Sequence, residues 1–417
     1  MTLFGTIWIT LIMIGMVKKD PKWMIGLTIL SATLQCDNVI VINGSGLGPQ
    51  VITSLAMIIK GFFYGNRWII SFPRKTKGLV FGFLALLTVI LYSSIYNGVI
   101  TRNYLRIAQL LMYVMCFFSM FKMGKYISEE YIYRLIRKLS IFLVVMGFIQ
   151  IGITSGILPR IPLIRILFYN DTLSDVIYFT RNNYFRVMST YMEPSYYAGF
   201  LVGAFYYFLS YAGKRRENLW LLFFLFIQII LSFSSTAYGA FLVVGILFIA
   251  GSYENKIKLY VLIGGIIGAF IMYFFFYDTL DLVILSKMQS GSGIARRYWD
   301  LAAIRNFKAS PIIGIGYKQS RASSIIYTIL GELGIVGFSL YWWLNIRILI
   351  AVLSKKKRQR NGLEFTRLCL AIVGVIACQV IGVPDLDICT YWMWMNILAL
   401  CYSNKENVER GRLCTTL

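Results

Sequence analysis

Runs of apolar residues separated by short polar segments extend along the whole chain. A helix needs about 20 mostly apolar residues to cross a bilayer, and about thirteen segments approach that pattern. They lie near 3–17, 24–42, 50–64, 79–96, 104–122, 139–157, 196–212, 219–235, 237–251, 258–277, 323–352, 365–383 and 388–402. The pair 219–235 and 237–251 can also be read as one kinked element. The pattern predicts an all-α, polytopic transmembrane fold of about 12–13 spans, in a single membrane domain covering residues 1–417.

Composition supports a membrane protein. Hydrophobic residues make up 58% of the chain and charged residues 14%, whereas soluble domains contain about 45–50% and about 25%. The net charge of +23 comes largely from Lys and Arg in alternate loops. Because such residues accumulate in cytoplasmic loops, the N-terminus is expected outside and the C-terminus in the cytoplasm. The charge therefore does not indicate nucleic-acid binding.

Two long loops on the predicted outer side depart from this rule because both are basic. Outer loop 1 covers residues 158–195 and outer loop 2 covers residues 278–322. Guanidinium groups bind phosphate through two parallel hydrogen bonds, so an anionic substrate at the outer face would explain them. Contact with lipid headgroups or with local carboxylates is the alternative. The arginines and lysines concerned are Arg160, Arg165, Arg181, Arg186, Lys287, Arg296, Arg297, Arg305, Lys308, Lys318 and Arg321.

Several chemistries are excluded by missing residues. The chain has no histidine, which rules out a Ser-His-Asp triad and a His-ligated zinc site. Its seven cysteines form no C-x-x-C pair and are typical of apolar packing residues. No Walker lysine motif is present. We therefore expect no metal and no cofactor, and a process driven by a gradient or by an activated substrate.

Two glutamates are candidates for chemistry. Glu193 precedes Pro194, which suits the first turn of a helix, so Glu193 is expected at that helix's positive end. It is either a catalytic or sugar-binding carboxylate, or a structural partner of Arg186. Glu332 lies inside a predicted span, where an ionisable residue is costly and is a functional candidate by default. A structural hydrogen-bonding role for Glu332 is the alternative.

The second loop contains a predicted short helix from Arg296 to Lys308, which suits a position at the membrane interface. Arg296 and Arg297 precede Asp300 by one helical turn, so one of them can neutralise it. A single carboxylate cannot match both arginines, which leaves one of them for a phosphate.

These residues belong to four stretches that resemble the O-antigen and capsular polysaccharide polymerase (Wzy-type) and O-antigen ligase superfamily. Together with the span count and the two outer loops, the resemblance covers the chain from about residue 140 onward. In order along the chain, the stretches are Arg186 to Ser195, Leu231 to Gly239, Arg297 to Gly316, and Tyr327 to Gly337.

The resemblance implies a polymerase of undecaprenyl-pyrophosphate-linked oligosaccharide repeat units, acting at the outer face of the cytoplasmic membrane without a metal or a nucleotide sugar. The product would be an O-antigen, a capsule or an exopolysaccharide. Membrane lipid and a chain-length regulator are the further partners expected. The resemblance assigns pyrophosphate binding to Arg186 and to Arg296 or Arg297, with Arg181 and Arg305 as weaker candidates. For the acceptor base, Glu193 is the first choice and Glu332 the second.

Two alternatives remain open at the level of sequence. Ligases of this superfamily usually carry a histidine nine residues before the Gly-Glu-x-Gly glutamate, and this chain has Ser323 there. That difference argues against a ligase without excluding one. A flippase or transporter of lipid-linked glycan would also explain many spans and basic residues. Such transporters often contain internal repeats, and none is visible here.

Overall fold

The protein is described here from a computed structural model. It describes residues 2–42, 45–64, 74–158, 180–181, 184–212, 215–251, 291–354 and 363–414, with isolated positions between 258 and 274. Its described helices are α1 (Leu3–Val17), α2 (Lys22–Ser31), α3 (Pro49–Phe63), α4 (Arg74–Tyr96), α5 (Ile100–Met123), α6 (Glu129–Thr154), α7 (Pro194–Leu209), α8 (Leu219–Leu231), α9 (Ser235–Ala250), α10 (Gly291–Ala309), α11 (Ile325–Leu353), α12 (Leu363–Ile381) and α13 (Cys389–Cys414).

Two short antiparallel hairpins accompany the helices. Strand β1 (Ile40–Ile42) pairs with β2 (Ser45–Leu47), and β3 (Thr180–Arg181) pairs with β4 (Tyr184–Phe185). Neither hairpin forms part of a larger sheet in the described residues. The helical character predicted from the apolar runs is confirmed.

Five helical segments are long and apolar enough to cross a membrane: Lys77–Tyr96, Ile100–Tyr126, Glu129–Thr154, Ile325–Leu353 and Leu363–Ile381. Three shorter helices, α1, α3 and α9, are also apolar. These helices support an all-α membrane protein. The count of about 12–13 spans stays a prediction, and the predicted span 258–277 lies mostly outside the described residues.

The structure differs from the predicted span 24–42, because α2 ends at Ser31 and is followed by a turn and by strand β1. The physical reason lies in the residues after the helix. The run Gln35–Asn38 is largely polar, and the β-branched residues from Val39 to Ile42 favour a strand. The turn is held by Thr190, whose hydroxyl donates to the Thr33 carbonyl at 2.8 Å.

The chain forms two compact units that alternate along the sequence. Unit 1 contains Met1–Pro73, Gln109–Tyr197 and Ile388–Leu417, and unit 2 contains Arg74–Ala108 and Ala198–Asp387. The expectation of one membrane domain stays a prediction.

Unit 1 places α1, α2 and α3 side by side. Trp8 on α1 donates its indole N–H to the Thr53 hydroxyl on α3 at 2.7 Å. The Lys60 ammonium donates to the carbonyls of Gly15 and Lys18 at 2.5 and 2.6 Å. These carbonyls end α1 and have no partner within the helix, so Lys60 caps that helix from its neighbour.

Unit 2 is organised around α11, which packs against α4, α10 and α12, while α9 packs against α12. Nearly all of α12 is buried, with every residue from Glu364 to Gln379 enclosed. A helix enclosed to this degree must have its polar side chains satisfied by protein groups.

Candidate functional site

Helix α11 is broken at Gly334, where φ is 61° and ψ is −162°. The segment Pro311–Gly316, called here the 311–316 segment, runs along this break and bonds to both sides of it. Backbone N–H groups donate from Ile315 to Gly331 O at 3.0 Å, from Gly316 to Glu332 O at 3.0 Å, from Ile335 to Pro311 O at 2.9 Å and from Val336 to Ile312 O at 3.2 Å. Two of the stretches singled out in the sequence therefore form one hydrogen-bonded structure.

Two glycines make this contact possible. Gly314 has φ +69°, and a Cβ there would lie 2.2 Å from the Glu332 carbonyl carbon. Gly334 has φ +61°, and a Cβ there would lie 2.4 Å from the Ile312 carbonyl carbon. Both positions combine a left-handed backbone with close approach of another backbone, which only glycine accepts without strain.

Glu332 lies at the break and is buried, with 1% of its surface exposed. The Ser93 hydroxyl, from α4, donates to its carbonyl at 3.2 Å. Its carboxylate interacts with the ammonium and the backbone N–H of Lys318, and with the carboxylates of Asp385 and Asp387. The predicted location of Glu332 inside a helix is confirmed; its role stays a hypothesis.

Lys318 is the centre of this group of charges, called here the Lys318 cluster: Lys318, Glu332, Asp385 and Asp387. Its Nζ lies 2.6 Å from Asp385 Oδ1 and 2.8 Å from Asp387 Oδ1. Burial by itself lowers the pKa of Lys318, but Asp387 and Asp385 outweigh it and raise the pKa above its ordinary value, so the ammonium is charged. Lys318 also has φ +59°, an unfavourable backbone for a residue with a side chain.

Tyr317 adds a buried phenol to the Lys318 cluster. It is 1% exposed, and its hydroxyl has no hydrogen-bond partner within the described part of the chain. Burial, followed by Asp387, Glu332 and Asp385, raises its pKa well above the ordinary value. Asn103 Nδ2 donates to the Tyr317 carbonyl at 2.6 Å and fixes the backbone. Among described residues, no group of three or more Cys, Asp or Glu side chains could hold a metal ion.

Sequence analysis did not select Asp385 and Asp387 as site residues. The available signal was a pair of carboxylates directly after a predicted span, next to Pro384. Position alone could not identify Lys318 as their partner, since Lys318 was one of many basic residues in outer loop 2.

Helix α10 confirms the predicted short helix in outer loop 2 and extends from Gly291 to Ala309. Arg297 and Arg305 are exposed, whereas Arg296 is half-buried. Arg296 Nη1 lies 3.3 Å, and Thr236 Oγ1 2.4 Å, from the point where a Cβ on Gly382 would be. The guanidinium of Arg296 therefore lies near the first turn of α9 and the end of α12.

The contact that Asp300 makes is not the ion pair with Arg296 or Arg297 that the sequence predicts. Its Oδ1 accepts the Ser323 backbone N–H at 2.7 Å, and its Oδ2 accepts the Ser323 hydroxyl at 2.7 Å. This two-point contact joins α10 to the residues just before α11. On the preceding position of α10, the Trp299 ring is stacked by Arg321, whose Cζ lies 4.2 Å from the ring centroid.

The other predicted site residues belong to unit 1. Helix α7 begins at Pro194 as predicted, and Glu193 is exposed immediately before it. The Ser195 hydroxyl donates to Glu193 Oε2 at 3.0 Å. Arg186 is half-buried after β4, and Arg181 lies in β3. Arg160 and Arg165 lie outside the described residues.

The backbone between Arg186 and Glu193 is anchored to α6. Gln150 Oε1 accepts the backbone N–H groups of Met188 at 3.1 Å and Ser189 at 3.0 Å. The Ser189 hydroxyl donates to the Leu143 carbonyl at 2.9 Å. This part of outer loop 1 is therefore a buried structural element that fixes where α7 begins.

Arg296, Arg297, Arg305 and Glu332 all lie in unit 2, where α10 packs on α11. The fold is that of a helical membrane protein. In its unit 2, polar residues lie at the break in α11. No protein-family model and no curated protein matches the chain.

Proposed function

We propose that the protein is a polymerase of lipid-linked oligosaccharide repeat units for a surface polysaccharide. The reaction would transfer the growing glycan from undecaprenyl pyrophosphate to a hydroxyl of the next lipid-linked unit, without a metal. The proposed location is the outer face of the cytoplasmic membrane, with the N-terminus outside and the C-terminus in the cytoplasm. The observation that carries the proposal is the position of Arg296 beside the first turn of α9.

This position suits a pyrophosphate leaving group. Helix α9 has 16 residues, and its first N–H groups and its dipole favour an anion. A guanidinium beside them adds charge-assisted hydrogen bonds where negative charge develops. Arg297 and Arg305, exposed on α10, are proposed as further contacts to the lipid-linked donor.

Arg186 and Arg181 of unit 1 are proposed as a second group of phosphate contacts. The support is the anchored backbone after Arg186, which fixes the start of α7. Glu193 and Glu332 are the acceptor bases that the resemblance suggests. Glu193 is exposed at the start of α7, and Glu332 is buried at the break in α11.

A second candidate function is transport of a lipid-linked glycan coupled to an ion or a proton. The Lys318 cluster favours it, because buried carboxylates around a lysine are typical of proton and ion pathways in membrane proteins. The two functions predict different products from the same substrate. A polymerase yields a longer glycan on one lipid, whereas a transporter moves an unchanged glycan between leaflets.

The test is to reconstitute the purified protein in vesicles with lipid-pyrophosphate-linked repeat units of its host and to measure glycan length. Wild type should extend the glycan. Arg296→Ala and Arg186→Ala should each lower the rate roughly 10- to 100-fold, because a hydrogen bond to a charged group contributes about 1.5–3 kcal/mol.

Arg347→Ala is the matched control. Arg347 is exposed on α11 and stacks on Trp343, with Cζ 4.0 Å from the ring centroid, and its loss should leave the rate nearly unchanged. Normal rates in both arginine variants would contradict the phosphate assignment. Movement of the lipid across the bilayer without extension would favour the transporter.

A further inference from the structure

The contact between Asp300 and Ser323 has no part in the phosphate binding proposed above. Both carboxylate oxygens are oriented by one residue, each through a bond of 2.7 Å. Such a two-point contact holds a carboxylate in one orientation, which a catalytic group requires.

The carboxylate can still accept another proton donor. A carboxylate has about four lone-pair sites, and Ser323 occupies two of them. Asp300 is half-buried, so the residue is partly open to a bound substrate. By contrast, Glu332 is 1% exposed beneath the 311–316 segment, which leaves an incoming sugar no direct access to it.

Asp300 is also correctly placed along α10. It follows Arg296 by four residues in a continuous helix, so the two side chains lie on the same face with their Cβ atoms about 5–6 Å apart. A group that binds the departing pyrophosphate and a group that receives the acceptor proton must flank the same anomeric carbon. One turn of helix provides that spacing.

We propose that Asp300, in place of Glu193 or Glu332, is the general base for the acceptor hydroxyl and that Ser323 is the residue that positions it. This inference rests on the proposed polymerase function. In the step, the acceptor oxygen forms a bond to the anomeric carbon, and the bond from that carbon to the pyrophosphate oxygen breaks. The bonding electrons leave with the pyrophosphate, and the acceptor proton passes to Asp300.

Asp300→Asn tests the base without removing the contact. The Asn carbonyl can still accept the Ser323 N–H, and its amide can donate to the Ser323 hydroxyl, so the attachment of α10 is kept. The polymerisation rate should fall by about 100-fold or more, while donor binding and thermal stability stay at wild-type values. In Asp300→Gly, added formate should restore part of the rate.

Two controls separate catalysis from structure. Asn306 Nδ2 donates to the Ser320 hydroxyl at 3.2 Å, which is a neutral contact from the same helix to the same loop. Asn306→Ala should therefore change the rate only a few-fold. Ser323→Ala keeps the backbone N–H and should lower the rate roughly fivefold, and Ser323→Thr should recover most of it.

A near-normal rate in Asp300→Asn would overturn the inference. So would a loss no larger than that of Asn306→Ala, or a failure of formate to raise the rate of Asp300→Gly. These outcomes assume that wild type extends the glycan. If wild type does not extend it, the proposed function itself fails, which is a separate and recognisable result.

Discussion

Two buried glutamates in unit 2 have opposite environments. Glu332 on α11 and Glu364 on α12 are 1% and 2% exposed, and both lie in candidate membrane-spanning helices. Each is close to a basic residue, Lys318 for the first and Arg367 for the second. The difference lies in what those basic residues bind.

Glu364 belongs to a closed network. The Tyr207 hydroxyl donates to its Oε1 at 2.5 Å, and the Tyr211 hydroxyl donates to its Oε2. Arg367 Nη1 lies 3.5 Å from the same oxygen, and the Arg367 guanidinium covers the Tyr211 ring with Cζ 3.5 Å from its centroid. Donors and charge match the carboxylate, as a stable buried polar network requires.

Glu332 belongs to an acid-rich group. The Lys318 ammonium pairs with Asp385 and Asp387, and Arg106 Nη1 lies 4.0 Å from Asp387 Oδ2. Two cations therefore serve three carboxylates, and the nearby Tyr317 hydroxyl has no partner among the described residues. Buried polar groups are normally satisfied, so each exception needs an explanation. The comparison predicts that the Glu364 network stabilises the fold, and we propose a functional role for the Lys318 cluster.

The largest effect is expected from Lys318→Met. Removing the Lys318 ammonium leaves the buried Asp387 carboxylate with only the more distant Arg106, whose Nη1 lies 4.0 Å from Asp387 Oδ2. Breaking a buried ion pair costs about 3–5 kcal/mol. Because the Lys318 side chain is 24% exposed, the lower part of that range is expected. Thermal unfolding in detergent should show the loss.

A double substitution that replaces both Lys318 and Asp387 tests this explanation. Lys318→Met combined with Asp387→Leu should recover part of the stability, since an apolar pair of similar size no longer leaves Asp387 as a buried charge without Lys318. A double variant as unstable as Lys318→Met alone would show that Asp387 is not the residue left uncompensated.

A loss of comparable size is expected from Gly314→Ala and Gly334→Ala. A left-handed backbone costs a residue with a Cβ about 1–2 kcal/mol, and overpacking against fixed backbone adds about 1–3 kcal/mol. Gly98→Ala is the control, because Gly98 has φ +66° with nothing within 4 Å of its Cβ position. Equal melting temperatures for the three variants would show that the 311–316 segment shifts to accommodate a Cβ at little cost in free energy.

The smallest effect on stability is expected from the substitutions Glu364→Gln and Glu332→Gln. These two substitutions also separate the roles of the two glutamates most clearly. Glu364→Gln should lower the free energy of unfolding by about 1–3 kcal/mol, because it weakens hydrogen bonds to a charged group, and should leave the polymerisation rate nearly unchanged. Glu332→Gln should leave the free energy of unfolding nearly unchanged. It should lower the rate roughly tenfold, equivalent to about 1.4 kcal/mol, because it changes the charge of the Lys318 cluster without contacting the sugar. Parallel rate and unfolding measurements on both variants test this, and matching behaviour would remove the distinction.

Local sequence patterns determined a large part of this protein. Apolar runs identified the long helices, Pro194 marked the first residue of α7, and the Arg296 to Lys308 spacing indicated α10. Glu332 was recognised as an ionisable residue inside a helix. These features depend on residues within a few turns of one another, so period and local chemistry suffice to find them.

Only the tertiary structure decided the rest. The hydrogen bonds from Ser323 to Asp300, the pairing of Lys318 with Asp385 and Asp387, and the break at Gly334 join residues that are distant in sequence or depend on backbone approaching backbone. The same holds for residues 32–42, where contact with Thr190 accompanies a turn and a strand in place of a continued span. Apolar periodicity records which residues avoid water, but it carries no information about which polar group meets which, because that pairing is set by how the helices pack.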